Sequence, residues 1–491
     1  MAPDPHPPTA DIAYLDVGAM LERFDSGALT SAAVVDALLR RIAVVEDPDG
    51  PIDLRSVAAL AADARVVAAE RDVERERGVS RGPLHGVPVM VKDNIEVTGL
   101  PGAAGSTSLL GRPALDAPLV GRLREAGAVV LASTNLSEWA NIRSERSTSG
   151  WSATGGLVAN PWALDRSAGG SSSGSGAAVA AGLVPLAVGT ETDGSIVCPA
   201  SVNGVVGLKP TVGAVPVRGV VPISASQDSP GPLGRSVDDV ARLYSVLAGR
   251  PPVDLDGPAP RMVHAASWTT DHPATDDAVA DLVAALRAAG LPVFARGVAT
   301  PGPEVVNDEF QVMLAELVDD LGAYLAGRPG DGVSSLADVV AFEHAHAGIE
   351  LPYFGDELFD QALATGGRAG PAYAGARSRN LEWAVSTCLE PGLEDADVLL
   401  APAYGPAWKS DLAVGGHGSA VSSWVTTPAA IAGWPIMSVP VALVHGLPVG
   451  LALIARAGQE EVLLNAARRV EEVVAATSPL PRPGWSPPTR G

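Results

Sequence analysis

The chain has 491 residues, 47% of them hydrophobic, and a formal net charge of −22. Such an acidic chain disfavours binding to nucleic acid or anionic membranes, and two cysteines, Cys198 and Cys388, are too few for a disulfide scaffold. The N-terminal stretch MAPDPHPPTADIAYLD lacks the basic and apolar regions of a signal peptide, and Gly or Pro interrupts every apolar stretch before the ~20 residues of a membrane helix. We expect a soluble cytoplasmic protein without a nucleic-acid or membrane partner.

Helices and apolar strands alternate through the first part of the chain. Apolar residues recur at helical spacing between Val34 and Ile42, behind the potential N-caps Thr30 and Ser31. The predicted elements are this helix, a helix over 57–78, a strand over 86–94, a helix ending at 125–127 and a strand over 128–134. The alternation is typical of an α/β sheet.

The rest of the chain changes character several times. Residues 135–175 are rich in Ser, Asn, Gly and Trp without periodicity, which predicts loops that line a site. The stretch 176–190 predicts a buried helix and strand, and 251–260 is a candidate linker. Further predicted elements are helices over 276–289, within 311–346 and 357–392 and over 459–475, and strands over 291–295, 397–402, 436–444 and 447–455, the last two joined by a His445-Gly446 turn.

The stretch GTETDGSIVCPAS (189–201) holds Ser195 in a Gly-containing turn. Such a turn can direct successive backbone N–H groups into one concavity, which is what an oxyanion needs. Taken alone, a Gly-Ser pair is more typical of an ordinary surface turn than of a nucleophile.

A second stretch, SAGGSSSGSGAAVAAG (167–182), places three serines directly before an apolar helix. Gly-rich turns at helix N-termini can bind anions, but neither GK[ST] nor GxGxxG is present, which argues against a nucleotide. A flexible linker would not run straight into an apolar helix. The stretch therefore indicates a polar site on a buried scaffold.

A third stretch, GPLHGVPVMVKDNIEV (82–97), ends an apolar strand at Lys92. Burial would lower the pKa of this lysine and make it a base, whereas an ordinary lysine at a strand end is exposed. None of the eight histidines lies in a motif typical of a triad base, so a lysine that activates a serine is the alternative route.

Two other groups of polar residues are weaker candidates. The histidines of HAH (344–346) face apart in a helical pattern, so we expect no metal site there. Asp193 and Asp228 could form a carboxylate pair for acid-base work, but hydrogen bonds to turn backbone are the more typical role.

Together, the three polar stretches resemble the amidase signature family, whose hallmark is a GGSSSGSG-like block followed by a GTETDGS-like block. Ser171 lies 24 residues before Ser195, which is the family spacing, and weaker matches run from LTSAAVV near residue 30 to GLPVGLALIA near 450. The resemblance implies an α/β fold with a central mixed sheet flanked by helices on both faces. It also implies one domain over 1–491, with a catalytic core at about 60–250, a helical excursion at about 300–395 that shapes the cleft, and strands at 396–455 that return to the sheet.

The resemblance implies a serine hydrolase that cleaves a carboxamide to free acid and ammonia through an acyl-enzyme. Ser195 would be the nucleophile, Ser171 a bridging serine reached through a cis peptide from Gly170, and Lys92 the base. The backbone N–H groups of Thr192, Asp193, Gly194 and Ser195 would form the oxyanion hole, with Ser172 and Asp228 in support. Neither a cofactor nor a metal is implied.

The chain departs from the commoner family pattern at two positions. It has Asp193 where many members have Gly and Val197 where many have Arg, which argues against the tRNA-dependent amidotransferase branch. The same departures, with SEWANIRS (137–144), SGWSATGG (149–156) and PISASQDSPGP (222–232), resemble the peptide amidase branch, whose members hydrolyse the C-terminal carboxamide of peptides. By position, Asn141 would face the acyl side of the substrate, and the alternative is a helix-capping Asn.

Several functions remain open at the level of sequence. The substrate could be a peptide amide or a non-peptide small amide, and the reaction hydrolysis or biosynthetic acyl transfer. A different class would be a partner-dependent amidotransferase A-type subunit or an inactive binding protein. We expect a monomer or homodimer whose partner is a small-molecule or peptide amide.

Overall fold

The fold is centred on a mixed β-sheet, seen in a computed structural model that describes residues 12–415 and 424–483. Within these ranges, eleven strands form the sheet and β4–β7 form two small hairpins. The strands are β1 Val57–Leu60, β2 Pro88–Lys92, β3 Val129–Thr134, β4 Trp151–Ser152, β5 Gly156–Leu157, β6 Ala159–Asn160, β7 Ala163–Ser167, β8 Leu186–Glu191, β9 Val206–Lys209, β10 Ser229–Gly234, β11 Met262–Ala265, β12 Val293–Arg296, β13 Val398–Pro402, β14 Ile436–Val444 and β15 Leu447–Ala455.

The strand order decides which loops meet. It runs β1-β3-β2-β8-β10-β9-β14-β15-β13-β11-β12. Strands β3, β2 and β8 are parallel neighbours, as are β13, β11 and β12, while the pairs between these two groups are antiparallel. Because β2 and β8 are parallel, their carboxyl ends and the segments that follow them lie at the same edge of the sheet.

Both faces of the sheet are covered. Met437 and Leu453 belong to one core cluster, while their neighbours Ile436 and Ile454 belong to another. Successive residues of a strand point to opposite faces, so the two clusters lie on opposite sides of the sheet. The expected α/β fold with a mixed sheet flanked by helices is confirmed.

Sixteen α-helices lie within the described ranges. They are α1 Val17–Asp25, α2 Ser31–Val45, α3 Ala64–Glu76, α4 Pro118–Glu125, α5 Ser173–Ala180, α6 Val197–Asn203, α7 Val237–Ala248, α8 Pro273–Ala288, α9 Pro303–Gly327, α10 Leu336–Ala345, α11 Ala347–Glu350, α12 Glu357–Thr365, α13 Tyr373–Glu382, α14 Glu390–Leu393, α15 Thr427–Ala432 and α16 Glu460–Thr477. A π-helical stretch, Trp383–Leu389, joins α13 to α14, and short turns of 3-10 type lie at Thr107–Leu109, Glu138–Asn141 and Gly367–Ala369.

One predicted element is wrong in its first part. The sequence predicts a single helix over 57–78, but Val57–Leu60 is a strand and the helix occupies Ala64–Glu76. The strand pairs antiparallel with β3, for example Leu60 with Ala132, so pairing at the sheet edge overrides the helical preference of alanine. The other predicted helices and strands are found within a few residues of their expected bounds, with α9 beginning at Pro303 and the irregular stretch 135–175 containing the two hairpins.

The helices between 303 and 393 pack against the loops that follow the strands. Leu317 of α9 and Phe359 of α12 share a buried apolar cluster with Trp139, Ala104 and Ile223, which come from loops of the sheet's N-terminal half. The helical segment therefore contacts the part of the molecule where the polar stretches of the sequence converge.

Candidate active site

Lys92 lies at the carboxyl end of β2, beside the end of β8. Its Nζ is 2.7 Å from Ser171 Oγ, 2.8 Å from Thr190 Oγ1 and 3.3 Å from the Thr190 carbonyl oxygen. Asn94 donates to the same Thr190 hydroxyl at 3.0 Å. The structure thus joins the lysine of the third polar stretch to the serine block of the second.

Burial sets the protonation of Lys92. The side chain has no exposed surface, and loss of hydration lowers its pKa from 10.5 to about 7, although the negative charges of Asp228 and Glu191 act in the opposite direction. A lysine with this pKa is neutral in a large fraction of molecules at neutral pH, so it can accept a proton.

The serine block is fastened to β8 and to Ser195. The peptide from Gly170 to Ser171 is cis, as the family resemblance implies. Ser172 accepts from the Thr190 N–H at 3.2 Å, donates its hydroxyl to the Thr190 carbonyl at 3.1 Å, and donates its backbone N–H to the Ser195 carbonyl at 3.1 Å. These bonds place the residue after Ser171 directly against Ser195.

The turn that carries Ser195 runs from β8 to α6. Gly194 has a φ of +78°, and a Cβ there would lie 2.5 Å from the Tyr404 hydroxyl, so only glycine fits. The hydrogen bonds within the described ranges leave the N–H groups of Asp193, Gly194 and Ser195 without an acceptor. These donors are free for an oxyanion.

The two aspartates near the turn have separate partners. Asp228 accepts from the Thr192 hydroxyl at 2.6 Å and from the backbone N–H groups of Ile223 and Ser224 at 2.8 and 3.0 Å, and burial raises its pKa to about 6. Asp193 accepts from the Thr427 hydroxyl at 2.8 Å. Asp228 therefore bonds to the backbone of a turn. Among the described residues, no hydrogen bond joins its carboxylate to that of Asp193.

Asn141 ends an unusual turn near the serine block. Its φ is +75°, and it does not cap a helix. Its Nδ2 donates to Ser149 Oγ at 3.3 Å, and a Cβ on Gly170 would lie 2.9 Å from that same oxygen, so Asn141 lies close to the Gly170-Ser171 peptide. Its Oδ1 is buried and has no partner among the described residues.

Sequence reasoning missed two buried charged residues near the site, Glu191 and Lys209. Glu191 is buried and accepts the N–H groups of Ile196 and Val197 at 2.6 and 2.9 Å, so its side chain joins the two ends of the turn. Lys209 is a second fully buried lysine, whose pKa burial lowers to about 8 while Glu191 acts in the opposite direction. Glu191 stands inside the GTETDGS block, and a carboxylate just before a helix N-terminus is the signal that could have identified it.

Among the described residues, one group of three carboxylates, Glu138, Glu343 and Glu350, is close enough to bind a metal. Arg143 already contacts Glu138 and lies 3.7 Å from Glu343. The positive charge of its guanidinium lies where a metal ion would bind, so these three carboxylates fit a metal poorly. His344 pairs instead with Asp356 at 3.1 Å, and His6 and His417 lie outside the described residues.

The chain belongs to the amidase family, because the sequence model of that family, Amidase, matches residues 33–464. Its structure is similar to native peptide amidase from Stenotrophomonas maltophilia, with a TM-score of 0.88 and 40% identity, covering 96% of this chain and 99% of that one. It is 30% identical to a putative amidase of Schizosaccharomyces pombe over 92% of this chain and 83% of the relative. It is also 33% identical to the A-type subunit of glutamyl-tRNA(Gln) amidotransferase from Symbiobacterium thermophilum, over 92% of this chain and 95% of the relative.

These findings confirm the family suggested by the three polar stretches and the class of amide-hydrolysing enzymes. Within the described ranges, no helix is both long and apolar enough to cross a membrane.

Proposed function

We propose that the protein hydrolyses the C-terminal carboxamide of peptides to the free acid and ammonia. The observation that carries this proposal is the 2.7 Å contact between Lys92, whose pKa is about 7, and Ser171, beside the turn of Ser195. A base and two hydroxyls in this order provide a proton path that needs no histidine.

In the proposed mechanism, Lys92 accepts the proton of Ser171 as Ser171 accepts that of Ser195, and Ser195 Oγ attacks the amide carbon. The carbonyl oxygen becomes an oxyanion, which the N–H groups of the 192–195 turn stabilise. The proton returns through Ser171 to the amide nitrogen, the C–N bond breaks, and ammonia leaves. Water then attacks the acyl-enzyme along the same path and restores Ser195.

Burial supports the order of the two serines. Ser195 keeps 8% of its surface exposed, whereas Ser171 and Lys92 keep none. A substrate entering from solvent can therefore reach Ser195 while the other two side chains stay behind it. This is the arrangement expected of a nucleophile and an internal relay.

A peptide amide is the favoured substrate for two reasons. A solved structure that is 40% identical to this chain is a peptide amidase, and Asp193 and Val197 are among the residues by which the sequence resembles that branch. The unpaired Oδ1 of Asn141 adds an acceptor suited to the N–H of a peptide backbone.

The second candidate is an amidotransferase A-type subunit that acts with partners. The 33% identity to such a subunit of glutamyl-tRNA(Gln) amidotransferase favours it. The charge of −22 argues against it, since tRNA partners favour basic surfaces. A hydrolase would release ammonia as the purified single chain, whereas a dependent subunit would not.

We expect the purified chain to release ammonia from peptide amides faster than from small aliphatic or aromatic amides. Ser195→Ala should lower kcat by roughly 10⁴-fold or more with an unchanged melting temperature, because it removes the nucleophile alone. Ser245→Ala is a matched control, since Ser245 is a buried serine that donates to Ala241 of its own helix α7. Full activity in Ser195→Ala would refute the assignment of the nucleophile.

A further inference from the structure

The turn Glu138–Asn141 has a backbone that ordinary residues avoid. Trp139, Ala140 and Asn141 have φ values of 47°, 54° and 75°, and none of them is glycine. L-residues adopt this left-handed region at a cost, so consecutive examples persist only where the surrounding structure holds them. The contacts that hold the turn are therefore of functional interest.

Two contacts from the helical segment hold Trp139. Its indole Nε1 donates to Glu343 Oε1 of α10 at 2.8 Å. Its ring packs edge-on against Phe359 of α12, with centroids 6.1 Å apart and planes at 77°. The residue that begins the left-handed stretch is thus fixed by side chains more than 200 positions further along the chain.

A buried charge cluster reinforces this connection. Arg143, just after the turn, is fully buried, contacts Glu138 and donates to the Glu350 carbonyl at 2.7 Å. Glu138 in turn accepts the Ala153 N–H at 2.6 Å. Burial raises the pKa of Glu343 to about 8, although the positive charge of Arg143 acts in the opposite direction. Both ends of the turn are therefore tied to buried groups.

The turn also contacts the serine block directly. Ser137, the residue before the turn, donates its N–H to the Ser171 carbonyl at 3.1 Å. At the other end, Asn141 donates to Ser149, whose hydroxyl lies against Gly170. A change in the turn would consequently move the Asn141 amide relative to Ser171.

We propose that Trp139 and Glu343 are positioning residues, through which the helical segment holds the left-handed turn and sets the position of the Asn141 amide beside the Gly170-Ser171 peptide. The inference rests on the proposed function, in which that amide binds the acyl part of the substrate. The Trp139-Glu343 hydrogen bond should affect substrate binding and not proton transfer. It is separate from the hydrogen bonds that Lys92 makes with Ser171 and Thr190.

The first test is Trp139→Phe, which removes the indole N–H and keeps an aromatic ring against Phe359. We expect KM for a peptide amide to rise about 3- to 10-fold, as for loss of one hydrogen bond, with kcat within about two-fold of wild type. The rate of labelling of Ser195 by phenylmethylsulfonyl fluoride, a reagent without a peptide arm, should be unchanged. Glu343→Ala should have the same effect, and Glu343→Gln, which keeps an acceptor, should restore KM.

The matched control is Trp268→Phe. Trp268 follows β11 near the far edge of the sheet, and the change removes its indole N–H bond of 3.1 Å to the carbonyl of Ala299, which follows β12. It should leave KM unchanged. A purely structural role would lower kcat, labelling rate and melting temperature together in Trp139→Phe, and that result would overturn the proposal. The proposal would also be overturned if Trp139→Phe raised KM by the same factor in a chain that already carries Asn141→Ala.

Failure of the proposed function appears in a different arm of the experiment. If the wild-type chain releases ammonia only from small non-peptide amides, the peptide assignment is wrong. The positioning role can then still be tested. KM, kcat and the labelling rate of Ser195 are compared in the same variants, with the amide that the chain does hydrolyse as the substrate.

Discussion

At the scale of the residue, the candidate site depends on the burial of the Lys92 amine. Lys92 ends a strand whose residues are all buried, and its partners are hydroxyl and carbonyl oxygens without a carboxylate in direct contact. Loss of hydration therefore outweighs attraction by the more distant Asp228 and Glu191, and the pKa falls to about 7. A surface lysine in the same sequence could not serve as a base at neutral pH.

This predicts a specific pH dependence. The value of kcat/KM should rise about tenfold per pH unit below pH 7 and level off above it, because only neutral Lys92 accepts a proton. Lys92→Ala should lose most of the rate together with this acid limb. Lys209→Met changes the other fully buried lysine, which bonds to the Pro210 carbonyl, and should keep the limb. An acid limb that survives in Lys92→Ala would exclude Lys92 as the base.

At the scale of the element, the unit that matters is β8, the turn and α6. Glu191 ends β8, and its carboxylate accepts the N–H groups of Ile196 and Val197, where α6 begins. The four residues between them are Thr192 to Ser195. Their backbone is held from both ends, which keeps the free N–H groups of the turn in one orientation.

Glu191→Ala should therefore affect both stability and rate. We expect the free energy of unfolding to fall by roughly 2–4 kcal/mol, since two bonds to a buried carboxylate are lost, and kcat to fall at least about tenfold as the turn loosens. The control is Asp239→Ala, which removes a buried carboxylate that accepts the Val17 N–H at 3.0 Å, far along the chain from the turn. Urea unfolding and steady-state kinetics separate the two effects, and equal kcat losses in both variants would contradict a local role.

At the scale of the whole molecule, buried carboxyl groups recur between its parts. Burial raises the pKa of Glu46, Asp93 and Glu471 to about 7 and of Glu343 to about 8.

Strands that precede the helical segment in the sequence and strands that follow it belong to the same eleven-stranded sheet. On this basis we propose that residues 1–491 act as a single domain, with the helical excursion at about 300–395 forming one wall of the cleft.

The raised pKa values predict that stability falls as the pH rises. Between pH 4.5 and about 8, folded Glu343 keeps a proton that the unfolded chain has lost, so its contribution is full below pH 4.5 and is lost towards pH 8. Each such carboxyl lowers the free energy of unfolding by about 1.4 kcal/mol per pH unit in its window. Glu343→Gln should make the decline measured by urea unfolding between pH 5 and 8 less steep. An identical slope in the variant would show that Glu343 titrates normally.

Sequence reasoning succeeded where a local pattern carries the information. The period of apolar residues located α2 behind Thr30, whose hydroxyl caps the Ala33 N–H at 3.1 Å. It failed at Val57–Leu60, because four residues at a sheet edge take their conformation from the strand they pair with. It also missed the turn at Trp139, since nothing local favours a left-handed backbone at tryptophan.

By itself, the sequence determined the family, the fold class and the identity of Lys92, Ser171 and Ser195 as candidates, because these depend on short motifs and their spacing. Only the tertiary structure decided that Lys92 is fully buried and touches Ser171, and that Glu343 holds Trp139. Burial and long-range contact depend on which strands and helices become neighbours, and β2 pairs with β8 although residues 93–185 separate them in the sequence.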